Sequence, residues 1–337
     1  MIILDGPLGT ELQARHVDTA LPLWSARALI EAPQVVEDIH RDYAHAGATV
    51  HTANTFRTQR RTIGEPWKEL TRLAVELVRK SIGPSHLVAG SMAPLEDCYR
   101  PDKSPKDSFA EHLEFAEFLA LQNVDLMLCE AFPHPQEALA AVKAAISTGL
   151  PTWLSLTAGP DASLLTVDQV RQTAAQAIDI GASAVLVNCI SAAHTLPFVE
   201  GLVDLGVPFG AYANAGRADE GIRGRRVTEA DSKHRFPVLE SRTTEPGGPG
   251  ANREFRGRRA TEADSKHRFP VLKSRPTEHG GPGANCEIGW HPSPSAPLRY
   301  LAFARQWVDM GATIVGSCCG TGPAHIRLLA ETWTDNL

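Results

Sequence analysis

Residues 312–319 read ATIVGSCC. A short apolar run passes through glycine and stops at two adjacent thiols, Cys318 and Cys319. A strand with one wet face alternates apolar and polar residues, whereas a strand covered on both faces reads as an unbroken apolar run. This stretch is of the second kind. Seven more such runs precede it: IILDG (2–6), TVHTANTF (49–56), HLVAGSMAP (86–94), DLMLCEAF (125–132), PTWLSLTA (151–158), SAVLVNC (183–189) and PFGAYANA (208–215).

Amphipathic stretches separate the runs. Residues 32–47 place Val35, Val36, Ile39, Tyr43 and Ala46 on one face at helical spacing, and residues 66–82 do the same with Leu70, Leu73, Ala74, Leu77 and Val78. Several of these stretches end in glycine just before the next run, at Gly47, Gly149, Gly181, Gly206 and Gly311, as helices that stop there should. Eight strands, each followed by a helix, predict an α/β fold of the closed (βα)8 TIM-barrel type, because parallel neighbours require crossover connections. A doubly wound open sheet is the alternative. It more often carries GxGxxG after its first strand, and here that turn reads DGPLGTE.

The predicted strands end in polar residues: Asp5, Asn54, Ser91, Glu130, Cys189, Asn214, and Cys318 with Cys319. In a barrel those ends share one face, where barrel active sites lie.

The chain has 337 residues, 43% of them hydrophobic and 21% charged, enough for a sizeable core. A net charge of −6 disfavours a nucleic-acid partner for the chain as a whole. No apolar run reaches the roughly 18–20 residues that cross a bilayer, and MIILDGPLGTEL lacks the pattern of a signal peptide. The expected compartment is therefore the cytoplasm, where thiols stay reduced. Oligomeric state is not written in these residues.

One stretch breaks the alternation. Residues 224–252 and 257–285 are near copies at an offset of 33, identical at 25 of 29 positions. Solenoid repeats diverge on their surface and keep an apolar skeleton. These copies match almost everywhere and are poor in apolar residues, which marks a recent tandem duplication. Residues 223–285 hold 14 Lys and Arg against 8 Asp and Glu, a net of +6, which leaves −12 for the rest of the chain. The expectation is a single barrel domain over 1–337, interrupted after strand seven by a basic, disordered insert at 223–286. It is either a tolerated loop or a binding arm.

Three of the six cysteines, Cys189, Cys318 and Cys319, end strands six and eight. Thiols gathered at one rim suit a soft tetrahedral metal such as zinc, and three protein ligands leave a catalytic vacancy. Gly316 and Gly320 would let consecutive cysteines aim at one ion. The competing reading is that these are small buried core residues.

Taken in order, DGPLGTEL (5–12), TANTF (52–56), GSMAP (90–94), DLMLCE (125–130), VNC (187–189), YAN (212–214) and GSCCGT (316–321) make the chain resemble the zinc-dependent homocysteine S-methyltransferases, of the betaine- or S-methylmethionine-dependent type. The resemblance implies that Cys189, Cys318 and Cys319 hold Zn2+. It implies that Asp5 and Glu130 hold the homocysteine amino group, and that backbone amides from Gly6 to Thr10 take the carboxylate. Asn54 and Asn214 would support the ligands or line the donor site. The implied reaction moves a methyl group from a sulfonium donor, S-methylmethionine or S-adenosylmethionine, to the homocysteine thiol, forming methionine. Another thiol or selenol acceptor, a corrinoid-protein donor, or a non-enzymatic binding role are the alternatives. Four positions depart from the family pattern: Pro7, Ala213 and Ser317, where glycine, proline and glycine are usual, and Ala131, where threonine is usual. Cys98 and Cys129 match no ligand position and read as packing residues; Cys286 lies at the end of the insert.

Overall fold

A computed structural model describes residues 1–215 and 295–334. The duplicated insert expected at 223–286, with Cys286, lies outside the described residues. All eight apolar runs form strands: β1 (Ile2–Ile3), β2 (Val50–Thr52), β3 (Leu87–Met92), β4 (Leu126–Phe132), β5 (Thr152–Leu156), β6 (Ala184–Ser191), β7 (Phe209–Asn214) and β8 (Ile314–Val315). The ladder is parallel throughout, in the order β1-β8-β7-β6-β5-β4-β3-β2.

The ring closes between its first two members. Leu4 bridges Val50 in parallel register. The Thr49 N–H donates to the Ile3 carbonyl at 2.8 Å, and the Asp5 N–H donates to the Val50 carbonyl at 3.0 Å. On the other side β1 pairs with β8, Ile2 against Ile314 and Ile3 against Val315. The barrel predicted from the run pattern is therefore the barrel observed.

Side chains fill its interior: Leu4, Val50, Ala89, Leu126, Leu128, Trp153, Ala184, Leu186, Tyr212 and Ile314 are buried in one cluster. Branched and aromatic residues projecting from successive strands leave no open pore, as expected for eight strands. The helices cover the outside. Among them α1 (Leu8–Ala14), α2 (Arg27–Glu31) and α3 (Pro33–His45) follow β1, and α4 (Arg60–Ile63) and α5 (Trp67–Ser81) follow β2. Then α6 (Phe109–Ala120), α7 (Pro135–Ile146), α8 (Val167–Ile180) and α9 (Ala192–Glu200) follow β3 to β6 in turn. The helices α10 (Ala296–Asp309) and α11 (Pro323–Thr334) flank β8. The predicted apolar faces are the buried ones: Val36, Ile39 and Tyr43 on α3, and Leu70, Ala74 and Val78 on α5. No described helix is long and apolar enough to cross a membrane.

The five glycines read as helix stops all adopt left-handed φ, from 81° at Gly149 to 122° at Gly181, a region that costs glycine little. β1, β2 and β8 are much shorter than their apolar runs, whereas β6 extends to Ser191, past the Cys189 that ends its run. At β4 and β6 the register shifts, between Cys129 and Phe132 and between Asn188 and Ser191.

The ladder at β7–β8 leaves no room for a side chain at Gly210, where a Cβ would stand 1.7 Å from the Ile314 carbonyl oxygen. Gly210→Ala should therefore lower the urea midpoint, with a loss of roughly 1–3 kcal/mol from overpacking. An unchanged midpoint would show that the closure tolerates spreading.

Candidate active site

The C-terminal ends of the strands surround one pocket. Its lining includes Asp5, Gly6, Asn54, Glu130, Cys189, Cys318 and Cys319, seven of the nine residues singled out above. Thr10 and Asn214 brace the site without lining it. Thr10 Oγ1 accepts from the Gly320 N–H at 3.0 Å, which fastens the turn after the thiols. Asn214 Nδ2 donates to the Cys189 carbonyl at 3.1 Å.

The thiols meet as predicted from the strand ends. Cys189 Sγ and Cys318 Sγ are 3.0 Å apart, and Cys319 interacts with both. They behave as one unit. Donation from the thiols of Cys189 and then Cys319 pushes Cys318 down to about 6. Cys189, the donor in that arrangement, is pushed well up. The Cys318 proton thus leaves readily and that of Cys189 is held, because the Cys318 sulfur anion is stabilised by S–H neighbours. None of the five described cysteines forms a disulfide.

Backbone geometry aims these groups. Cys189 sits at φ 55° and Ala131 at φ 62°, left-handed positions just where β6 and β4 lose register. Such strain is uncommon for residues with a Cβ and concentrates at functional sites. At β8 only one of the two glycines acts as expected. Gly320 has φ 74°, but Gly316 is needed for close approach instead, since a Cβ there would stand 2.5 Å from Leu4 Cβ. The β8 end is held by the Cys318 N–H donating to the Ala213 carbonyl at 2.8 Å, and by Tyr300 OH donating to the Gly316 carbonyl at 2.7 Å. Ser317, a departure from the family pattern, accepts from Thr321 Oγ1 at 2.7 Å and so has a local role.

Both carboxylates are buried, with no cation beside them among the described residues. Asp5 Oδ2 accepts from the Thr52 N–H at 3.0 Å. Burial pushes its pKa well above the usual carboxylate range, with Glu130 adding repulsion. Glu130 accepts from Ser91 Oγ at 2.5 Å and from Tyr212 OH at 3.0 Å, and burial raises its pKa too. Ser91 is thus a partner of Glu130 and not a pocket residue. Two carboxylates desolvated with only neutral donors around them are an incomplete charge arrangement that a cationic group completes.

Other pocket residues escaped the sequence reading. Asn188, the middle residue of VNC, spans three strands. Its Oδ1 accepts from the Ala131 N–H at 3.1 Å and from Ser155 Oγ at 2.8 Å, and its Nδ2 donates to Cys189 Sγ at 3.2 Å. Half-buried Trp24, Phe56 and Tyr99 add an aromatic wall, with Trp24 and Phe56 edge to face at 5.3 Å. Trp24 opens a three-residue 3-10 turn ahead of α2 and Tyr99 lies in an irregular loop; both pieces are too short for periodicity to betray them. Arg57 and Glu137 moor the loop that carries Tyr99, through the Glu96 carbonyl at 3.0 Å and the Leu95 N–H at 2.8 Å. Cys98, read as packing, is buried but packs against Cys189 and lines the pocket. Cys129 is fully buried core.

The sequence pattern of the family described as homocysteine S-methyltransferase matches residues 2–333. A homocysteine S-methyltransferase of Escherichia coli (strain K12) is 30% identical over 249 residues, 64% of this chain and 78% of that protein. An S-methylmethionine–homocysteine S-methyltransferase of Pongo abelii is 28% identical over 192 residues, 56% of this chain and 52% of that protein, so the match spans about half of that relative's length. Among solved structures, the homocysteine methyltransferase MmuM from Escherichia coli superposes with TM-scores of 0.65 in its oxidized form and 0.64 in its metallated form, at 22% identity, over 98% of this chain and 96% of that one. Motif order, barrel and match together place the chain in the homocysteine S-methyltransferase family.

Proposed function

We propose that this protein methylates the homocysteine thiol to form methionine, using a sulfonium donor, S-methylmethionine or S-adenosylmethionine, and a zinc ion held by Cys189, Cys318 and Cys319. The observation that carries this reading is the meeting of three thiols and two uncompensated carboxylates in one pocket. The thiols fit zinc by chemistry and by position. All three donors are sulfur, and one of them loses its proton readily. Thiolates bound at about 2.3 Å to one tetrahedral ion stand about 3.8 Å apart, so the 3.0 Å pair would need to open by only about 0.8 Å. When bound, zinc would lower the pKa of an incoming thiol and so make it a nucleophile at neutral pH.

The remaining roles belong to this chain's own residues. Asp5 and Glu130 would grip the homocysteine ammonium, each by a charge-assisted hydrogen bond. Backbone amides at the start of α1 would take its carboxylate. Pro7 has no N–H, so on the pocket rim that leaves Gly6 and Leu8. Held at both ends of its amino-acid group, the substrate would point its sulfur toward the cysteines. Trp24, Phe56 and Tyr99 would offer aromatic faces to the donor's positive charge. In the transfer, the homocysteine sulfur forms a bond to the methyl carbon as the donor's carbon–sulfonium bond breaks. The electron pair of that bond neutralises the donor sulfur, giving a thioether, and the thiol proton goes to solvent. Proximity and alignment supply much of the acceleration.

The direct test is mass-spectrometric detection of methionine from reduced, zinc-loaded protein, homocysteine and S-methylmethionine. Product is expected, and Cys318→Ser should abolish it and weaken the thiolate-to-metal charge-transfer band of the cobalt(II)-loaded protein. Zinc-loaded protein that forms no methionine from S-methylmethionine, or from S-adenosylmethionine supplied in its place, would overturn the donor assignment.

The carboxylates give a second test. Asp5→Asn or Glu130→Gln should raise the homocysteine KM roughly 10- to 100-fold, the scale of one hydrogen bond to a charged group. Neither should lower Tm, because each removes a charge whose burial disfavours the ionised form. A large Tm loss would mark these carboxylates as structural.

The sign of the pH dependence follows. Both folded-state pKa values are raised, so the substrate-free protein should lose stability as pH rises from the ordinary carboxylate range near 4 through the raised values. Homocysteine affinity should move the opposite way and weaken as pH falls through the same window. Calorimetric titration and thermal melts across that range would show opposed slopes; parallel slopes would contradict the ammonium-binding role.

A further inference from the structure

We propose that Asp5, His40 and His51 form a second zinc-class metal site beside the pocket, separate from the three thiols. Asp5 ends the first strand's segment, His51 lies on β2, and His40 lies on α3, which packs over them. One carboxylate oxygen and one ring nitrogen from each histidine all lie within 4.8 Å of one another. All three residues are buried, with exposures of 5%, 0% and 0%. Among the described residues neither ring nitrogen of His40 has a hydrogen-bond partner; His51 Nδ1 makes no bond of good geometry, although the Ala48 backbone lies close enough to act on its ring.

That lack of partners is the unexplained feature. A neutral imidazole always presents one donor and one acceptor, and burying both unpaired is unfavourable. A cation accepts the nitrogen lone pairs and also neutralises the Asp5 carboxylate, which has no cationic partner among the described residues. Burial keeps both rings neutral, so their lone pairs are available. His51 Nε2 lies 2.9 Å from Nδ1 of half-buried His86, which orients the ring as an outer partner orients a metal-bound histidine. Two imidazoles and one carboxylate form a donor set suited to zinc, not to the oxygen-ligated calcium or magnesium. Asp5 lines the pocket, which gives the ion a route in and leaves room for a further ligand.

The site has a consequence, and this clause rests on the function proposed above. Asp5 cannot serve a bound ion and the homocysteine ammonium equally well. Excess zinc should therefore compete with homocysteine.

The test uses the full chain with Cys189→Ser, Cys318→Ser and Cys319→Ser combined, stripped of metal and then dialysed against buffered zinc. Elemental analysis should find one zinc per chain, against two in the unaltered protein, and X-ray absorption should show only nitrogen and oxygen ligands. His40→Phe, which keeps a ring but no ligand, should remove that ion from the thiol-free chain and leave one in the unaltered background. A thiol-free chain that binds no zinc overturns the proposal, and so does binding that His40→Phe leaves intact. A buried water would satisfy the same nitrogens and would give the first of those negative results. If His40→Phe fails to fold by circular dichroism, the imidazole signature in the absorption spectrum of the thiol-free chain decides instead. Zinc in excess should raise the homocysteine KM at least several-fold in the unaltered protein and not in His40→Phe; equal inhibition in both overturns the competition. The zinc counts do not depend on methionine formation, so failure of the methyltransferase reading would be seen separately.

Discussion

Closure of the strand ring at β1 is the constraint on which the rest of this structure depends. The first strand is two residues long, yet its segment must pair on both sides, with β8 through Ile2 and Ile3 and with β2 through the Leu4–Val50 bridge. The flanking backbone bonds, Thr49 to the Ile3 carbonyl at 2.8 Å and Leu4 to the Val315 carbonyl at 2.8 Å, remove the exposed edges that an open sheet would present. Closure also brings the end of β1 beside the end of β8, so Asp5 and the Cys318–Cys319 pair share a rim although they are more than 300 positions apart. The Ser317 N–H donates directly to the Asp5 carbonyl at 3.4 Å.

Chemistry at that rim depends on departures from ladder geometry. A regular strand sends successive side chains to opposite faces, which would turn alternate polar residues into the helix layer. Left-handed residues at Ala131 and Cys189 break the alternation where β4 and β6 lose register. One amide, that of Asn188, then ties the two irregular segments together and hydrogen-bonds the Cys189 sulfur. Among the described residues, the same region keeps its carboxylates away from arginine and lysine and surrounds them with hydroxyl and amide donors. A buried acid held this way is raised in pKa and ready for a cation, whereas an internal salt bridge would have satisfied it in advance.

Much of this was legible in the residues because it rests on local patterns. Unbroken apolar runs gave the strands, helical spacing gave the buried faces of α3 and α5, and glycines marked the helix ends. The thiols and carboxylates showed themselves as polar residues ending apolar runs. The roles that could not be read are those created by distant contact. Thr10 braces the cysteine turn and does not line the pocket, a fact that depends on Gly320 arriving beside it. Tyr99 enters the wall from a loop whose path is set by tertiary anchors such as Arg57 and Glu137, and Trp24 enters it from a short 3-10 turn. His40 and His51 read as an ordinary helix residue and an ordinary strand residue until packing placed them against Asp5.

By itself, then, the sequence determined the number and order of the strands and the kind of connection between them, though not the short extra helices α1, α2 and α4, and with them which chemical groups stand at strand ends. Those features follow from hydrophobic periodicity and turn chemistry, which act over a few residues. Tertiary structure alone decided which groups share a pocket, how far apart the sulfurs lie, and which buried polar atoms keep or lack partners. Those depend on ring closure and on the few strained residues that re-aim side chains, and both arise only when segments far apart in the chain pack against each other.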